Sequence, residues 1–200
     1  MAKGANFRVQ MRRRREGKTD YRARKALIMS GKPRLVARSS TKNMIAQVVV
    51  AKQVGDEILA AAHSSELKEL GWNAPGGNVP SAYLTGLLCG LRAKKVGTNE
   101  AVLDLGLAGP TKGSRLFALL NGALDAGMNI PHSEEKLGKE RAKAEHIAKY
   151  AKSLSADSED YSKRFSRYLS KGLAPEKLPE HFQKIKAAII SSFKTEGKEA

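Results

Sequence analysis

Four consecutive arginines, Arg12–Arg15, are the residues of this chain whose type and spacing best suit a binding site. A guanidinium group holds a phosphate through two parallel hydrogen bonds, and four adjacent ones are costly to leave without anionic partners. Further cations stand nearby, namely Arg8, Lys18, Arg22, Arg24 and Lys25. This pattern predicts a nucleic-acid-binding arm. A nuclear-localisation patch and a solvated basic tail are the alternatives, and charge alone does not separate RNA from DNA.

A second group of polar side chains surrounds a predicted hairpin. It consists of Arg38, Ser39, Ser40, Lys42, Asn43 and Gln47. Short hydroxyl and amide groups suit contacts with the 2′-hydroxyls and phosphates of RNA, and they suit ordinary turn structure equally well. Tyr21 stands among basic residues, where its ring could stack on a base or pack locally. The pattern leaves both alternatives open.

Catalytic interpretations are weaker. The loop of residues 106–114 is glycine-rich, but its Lys112, Gly113 and Ser114 stand in the wrong order for a Walker phosphate loop. Asp104 lies on a predicted buried strand without partner acids at motif spacing, so we expect it to bond nearby backbone or to point outward from the sheet. The four histidines are scattered. The sequence therefore predicts no catalytic residue, no metal site and no cofactor.

The charge is concentrated at one end of the chain. The formal net charge is +16, and residues 1–42 contribute +12 of it, with 14 Lys and Arg against 2 acids. Such an excess predicts a polyanionic partner. Cys89 is the only cysteine and lies in an apolar stretch, so we expect a buried thiol and no intramolecular disulfide. With no long apolar run, we predict no membrane partner and an intracellular, soluble protein.

The elements that must position these residues follow from periodicity. Residues 1–31 predict an extended arm through residue 15, then a short basic helix capped at Thr19 or Asp20 and ended by Gly31. Residues 34–38, 44–50 and 58–63 predict an antiparallel meander of strands. A helix capped by Asn78, a buried strand over 101–107 and a helix after Ser114 complete a βββαβα order, with a crossover long enough for parallel pairing.

Beyond residue 131 the sequence predicts helices. Three apolar stripes mark them, formed by Ile147, Tyr150, Ala151 and Leu154, by Tyr161, Phe165 and Tyr168, and by Phe182, Ile185, Ile189 and Phe193. We therefore divide the chain into a basic arm (1–31), an α/β core (32–132) and a helical C-terminal extension (133–200).

Ordered motifs give the chain a family resemblance. The run at 11–15 with residues 19–21 resembles the start of the archaeal form of large-ribosomal-subunit protein eighteen (bacterial naming), a family that binds 5S ribosomal RNA. The resemblance continues at residues 31–36, 43, 46–47, 62–65, 71–72, 78–88, 101–107, 125–127 and 130–132, and again at 146–148 and 178–182. It covers most of the chain and is densest over 8–132.

The resemblance implies more than the patterns do. It implies a three-layer α/β/α fold with ribonuclease-H-like topology and no catalytic acids. It implies a non-catalytic protein of the cytoplasmic ribosome that attaches 5S rRNA to 23S rRNA and touches neighbouring large-subunit proteins. Together with the charge pattern, it gives as candidate RNA contacts Arg8, Arg12, Arg13, Arg14, Arg15, Lys18, Tyr21, Arg22, Arg24, Lys25, Lys32, Arg34, Arg38, Ser40, Lys42, Asn43 and Gln47. The competing hypotheses are an RNA-cleaving or nucleotide-dependent enzyme using Asp104, and a DNA-compacting protein.

Overall fold

A four-stranded sheet lies at the centre of the protein in the computed structural model, which describes residues 4–155 and 158–196, the last three as backbone alone. The strands are β1 (Arg34–Ser39), β2 (Met44–Ala51), β3 (Asp56–His63) and β4 (Val102–Asp104). Their order is β3-β2-β1-β4. β1, β2 and β3 pair antiparallel, while β4 pairs with β1 in parallel. The predicted meander and the predicted parallel crossover are confirmed.

The fourth strand is shorter than predicted. Gly106 has a φ of +61°, and its N–H donates to Asp104 Oδ1 at 2.9 Å. A left-handed residue turns the chain out of the extended conformation, so strand pairing stops at Asp104. The prediction of strand structure as far as residue 107 was wrong because it followed apolar residues past this turn.

The helices in chain order are α1 (Arg12–Arg15), α2 (Tyr21–Met29), α3 (Val79–Lys95), α4 (Arg115–Asp125), α5 (Glu134–Leu137), α6 (Lys139–Ala142), α7 (Glu145–Leu154), α8 (Ser158–Arg164), α9 (Ser166–Leu169) and α10 (Leu178–Glu196). The prediction of an extended arm through residue 15 was wrong, because α1 is a helical turn there. The N–H groups of Arg14 and Arg15 donate to Met11 O at 3.0 and 3.1 Å. Arginine favours helices, and Gly17 with a φ of +64° ends the turn.

Helices α3 and α4 cover one face of the sheet. Leu35, Met44 and Val48 point into this layer and are fully buried. The two helices approach so closely that a Cβ on Gly86 would lie 1.9 Å from Leu119 O, and one on Gly122 would lie 2.0 Å from Tyr83 O. Only glycine permits this backbone contact. The helix predicted after Asn78 is confirmed, and its apolar side chains, among them Leu84, Leu87 and Leu88, are buried.

The other face of the sheet carries α2, which gives the protein its third layer. Asp20 begins α2, since its Oδ1 accepts hydrogen bonds from the N–H groups of Arg22 and Ala23 at 2.9 and 3.3 Å. The helix ends before Gly31, whose φ is +68°. Arg24 fastens α2 to the sheet through two hydrogen bonds to Asp56, at 3.0 and 2.7 Å. The predicted α/β/α arrangement and the predicted cap and stop of this helix are confirmed.

The C-terminal half is helical, as predicted, and packs on α3. Phe182, Ile185 and Ile189 of α10 are buried in the same hydrophobic cluster as the helices on the sheet. Lys186 of α10 lies with its Nζ 3.0 Å from Asp125 Oδ2, which ties this helix to the end of α4. Tyr150 does not share the buried stripe predicted for α7, because its side chain is 45% exposed.

No helix within residues 4–155 and 158–196 combines the length and the apolar character needed to cross a membrane. Cys89 is buried as a thiol, as predicted, and burial raises its pKa to about 12. Trp72 is 1% exposed, so it belongs to the core itself, and its ring stacks on His181 with the centroids 5.2 Å apart.

Candidate nucleic-acid interface

A groove of about 650 Å³ lies between the basic arm and the outer face of the sheet. Residues from Arg13 to Arg24 form one wall, side chains of β1, β2 and β3 form the floor, and residues 104–108 form a third side. We call this cleft the arm groove. The Arg24–Asp56 ion pair, 2.7 Å long, joins the wall formed by α2 to the floor of the groove.

Three of the predicted contact residues give the arm groove its cationic surface. Lys18 is exposed beside Glu16, with Nζ 3.0 Å from Oε2. Arg13 Nε donates to Thr19 Oγ1 at 2.9 Å, which leaves its terminal amino groups for other partners. Arg38 is exposed and, within the described part of the chain, its side chain forms no hydrogen bond or ion pair. These groups can donate to a phosphate chain that follows the groove.

The acids that line the arm groove already have partners. Asp20 caps α2. Asp56 and Asp104 both bind Arg34, with Oδ2 atoms 2.8 and 2.6 Å from its two terminal nitrogens. These carboxylates therefore do little to repel a polyanion, because each faces a backbone N–H or a guanidinium group.

Arg34 has a structural position that sequence patterns did not reveal. Its side chain is only 3% exposed, on the floor of the arm groove, between β3 and β4. Burial tends to raise the pKa of Asp56, but the guanidinium groups of Arg24 and Arg34 outweigh it and hold the pKa below its ordinary value. The hydrogen bonds of Arg34 link the start of β3 to the end of β4. A direct contact of Arg34 with RNA stays a prediction.

The arginine run extends outward from the arm groove. All four residues of α1 are exposed, and only Arg13 lines the cleft. Successive residues of a helix point about 100° apart, so the four side chains leave the axis in different directions. Arg12 lies 3.5 Å from Glu16. The run therefore suits a phosphate surface that wraps around the arm better than a single straight strand.

The remaining predicted contacts are spread over the arm and the hairpin. Arg8, Arg22 and Lys25 are exposed on the arm, and Tyr21 is half-buried at the start of α2. Gln47 lines the floor of the arm groove. Lys32 Nζ binds Glu100 Oε2 at 2.7 Å on the surface.

The polar side chains at the hairpin tip form turn structure, which was one of the two roles that the sequence left open for them. Ser40 Oγ accepts from Asn43 N–H at 2.9 Å and donates to Asn43 O at 3.0 Å. Asn43 Oδ1 accepts from Ser64 Oγ at 3.3 Å. These bonds fix the tip between β1 and β2, and Lys42 is exposed there. Contacts of Ser40, Lys42 and Asn43 with RNA stay a prediction.

Asp104 accepts the hydrogen bond from nearby backbone that the sequence predicted, and it also pairs with Arg34, which the sequence did not predict. One oxygen accepts from Gly106 N–H and the other binds Arg34. Two parts of the arm groove were not predicted from the sequence. Asp56 was not among the candidate site residues, and the exposed residues 106–108 had no pattern that marked them as a wall.

A family model described as "Ribosomal large subunit proteins 60S L5, and 50S L18" matches residues 5–101 and 92–133 of the chain. The match covers more than half of the chain. It includes α1, α2, the whole sheet, α3 and α4, and therefore every residue of the arm groove. Helices α5 to α10 lie beyond it.

Proposed function

Because the chain belongs to the family of large-subunit ribosomal proteins 60S L5 and 50S L18, we propose that it binds 5S rRNA in the large subunit through the arm groove. The observation that carries this proposal is the groove itself. Arg13, Lys18 and Arg38 converge on one cleft whose carboxylates are paired inside the protein. A polyanion that enters the groove meets exposed cations, and the acids there already bond guanidinium or backbone N–H groups.

The proposed binding combines two kinds of contact. The exposed arginines of α1, together with Arg8, Arg22 and Lys25, neutralise phosphates and hold the RNA by charge. The floor of the arm groove offers Gln47 and Arg38, whose positions on paired strands suit contacts with sugar hydroxyls and phosphates at defined positions. The arm thus supplies affinity, and the sheet supplies the register of the RNA on the protein.

We propose that the protein is a structural, non-catalytic component of the cytoplasmic ribosome. Asp104, the acid that prompted the enzyme hypothesis, is held by Arg34 and by Gly106 N–H. A carboxylate with both oxygens bonded in this way is poorly placed to hold a catalytic metal. By the same family membership, 23S rRNA and neighbouring large-subunit proteins are the further partners we propose.

The test is selectivity among nucleic acids at about 0.15 M salt, near physiological ionic strength. We expect the full chain to bind 5S rRNA at least tenfold (on the order of 1.4 kcal/mol) more tightly than a transfer RNA mixture or a duplex DNA of equal charge. Filter binding or fluorescence anisotropy measures this ratio. Equal affinity for 5S rRNA and transfer RNA would contradict the proposal, and a preference for duplex DNA would favour a DNA-compacting protein.

A further inference from the structure

A second groove lies at the tip of the β1–β2 hairpin, where both halves of the chain meet. It has a volume of about 460 Å³. Its walls are the hairpin tip at 41–43, Lys68, the loop at 74–78, and Arg167, Ser170 and Lys171 at the end of α9. We call it the hairpin groove. The hairpin separates it from the arm groove, because Arg38 and Ser39 line the arm groove while residues 41–43 line the hairpin groove.

Four cations from separate segments line the hairpin groove. Lys42, Lys68, Arg167 and Lys171 are all exposed, and among the residues that the structure describes no carboxylate contributes to the lining. Within the described residues none of these four side chains forms an ion pair. Solvated lysines normally spread apart to lower their mutual repulsion. Here the fold brings them together around one cleft, which favours an anionic occupant.

The walls of the hairpin groove are fixed to one another. Arg115 Nη1 donates to Ser40 O at 2.9 Å and to Gly77 O at 3.0 Å, and so joins the hairpin to the loop before α3. A Cβ on Gly77 would lie 2.8 Å from Thr41 O, so the two backbones touch. Asn78 Nδ2 donates to Tyr168 OH at 3.3 Å, which connects this loop to α9. The segments that carry Lys42, Arg167 and Lys171 are therefore joined to one another through the loop before α3.

We propose that the hairpin groove binds the phosphate backbone of a second RNA segment, separate from the RNA in the arm groove. This inference extends the proposed function, because it lets one protein hold two RNA segments on the two sides of its hairpin. A phosphodiester chain fits the charge of the cleft and the hydroxyl group of Thr41 beside it. It also gives the C-terminal helices, which lie beyond the family match, a part in RNA binding.

The test compares two titrations of the full chain, one with 5S rRNA and one with deproteinised large-subunit rRNA that lacks 5S rRNA. The double variant Arg167→Glu, Lys171→Glu is expected to lose at least about tenfold in affinity for large-subunit rRNA and less than about twofold for 5S rRNA. Lys42→Glu, on the opposite wall, is expected to act in the same direction. The control, Lys149→Glu with Lys152→Glu on α7, reverses equal charge outside the groove and should change neither affinity.

Each outcome decides the inference. The inference is overturned if the double variant and Lys42→Glu both keep their affinity for both RNAs. If these variants then still fail to enter ribosomal subunits, that failure assigns the groove to a protein neighbour instead of RNA. Equal losses for both RNAs also overturn it, because the groove then belongs to the 5S rRNA site. If the wild-type chain does not prefer 5S rRNA, the proposed function fails, while the titration with large-subunit rRNA still reports on the hairpin groove.

Discussion

Replacement of Arg12–Arg15 by four glutamines is expected to weaken 5S rRNA binding by on the order of a hundredfold at 0.15 M salt. The four side chains are exposed, and they contribute no buried contact to the fold. The slope of log affinity against log salt is negative, and each phosphate that loses its cation makes it shallower by about 0.7–0.9. The slope of the variant should therefore be shallower than that of the wild type by about three. Titrations between 50 and 200 mM salt measure both quantities.

The control for this experiment removes the same charge elsewhere. Glutamines at Lys149, Lys152, Lys163 and Lys177 replace exposed lysines of the C-terminal half. We expect this variant to bind 5S rRNA within about threefold of the wild type (less than 1 kcal/mol). The thermal unfolding of both variants should match that of the wild type. Similar losses in the two variants would show that binding follows total charge and not the arm.

Replacement of Arg34 by methionine is expected to lower the free energy of unfolding by on the order of 3 kcal/mol. The side chain is buried, and its loss leaves Asp104 without its guanidinium partner and Asp56 with Arg24 alone. Arg38→Met is the matched control, because it lies on the same strand and the same face but is exposed. Its unfolding free energy should change by less than about 0.5 kcal/mol. Urea denaturation compares the two.

The same comparison has a pH dependence with a defined sign. The pKa of Asp56 is held below its ordinary value of 3.8 in the folded protein. Its contribution to stability is therefore present above that value and is lost as the pH falls through the folded pKa. The difference between wild type and Arg34→Met should be full at pH 7 and should shrink below about pH 3.8. A stability difference that stays constant down to pH 2 would contradict the role given to Arg34. Equal stability of Arg34→Met and Arg38→Met at pH 7 would contradict it as well.

Periodicity and local chemistry predicted the elements that bury apolar surface. The stripe on α3, the alternation along β2 and the cap at Asp20 all depend on residues near one another in sequence, so their patterns are visible there. Family motifs predicted the three-layer arrangement. The arm was predicted less well, since α1 buries nothing and so has no periodicity to read.

Long-range polar contacts were beyond the sequence patterns. Arg34 looked like another member of a basic surface, but its partners lie 22 and 70 residues away, and only the pairing of β1 with β4 brings Asp104 beside it. The hairpin groove had no sequence signal either. Its cations come from residues 42, 68, 167 and 171, and each alone resembles a solvated surface charge.

Protein–RNA crosslinking of intact large subunits, read by mass spectrometry, tests the central claim most directly. We expect Arg13, Lys18 and Arg38, the exposed cations of the arm groove, to crosslink to 5S rRNA nucleotides. Crosslinks of these three residues to 23S rRNA or to protein alone, with 5S rRNA attached to another surface of the chain, would contradict the assignment of the arm groove as the 5S rRNA site.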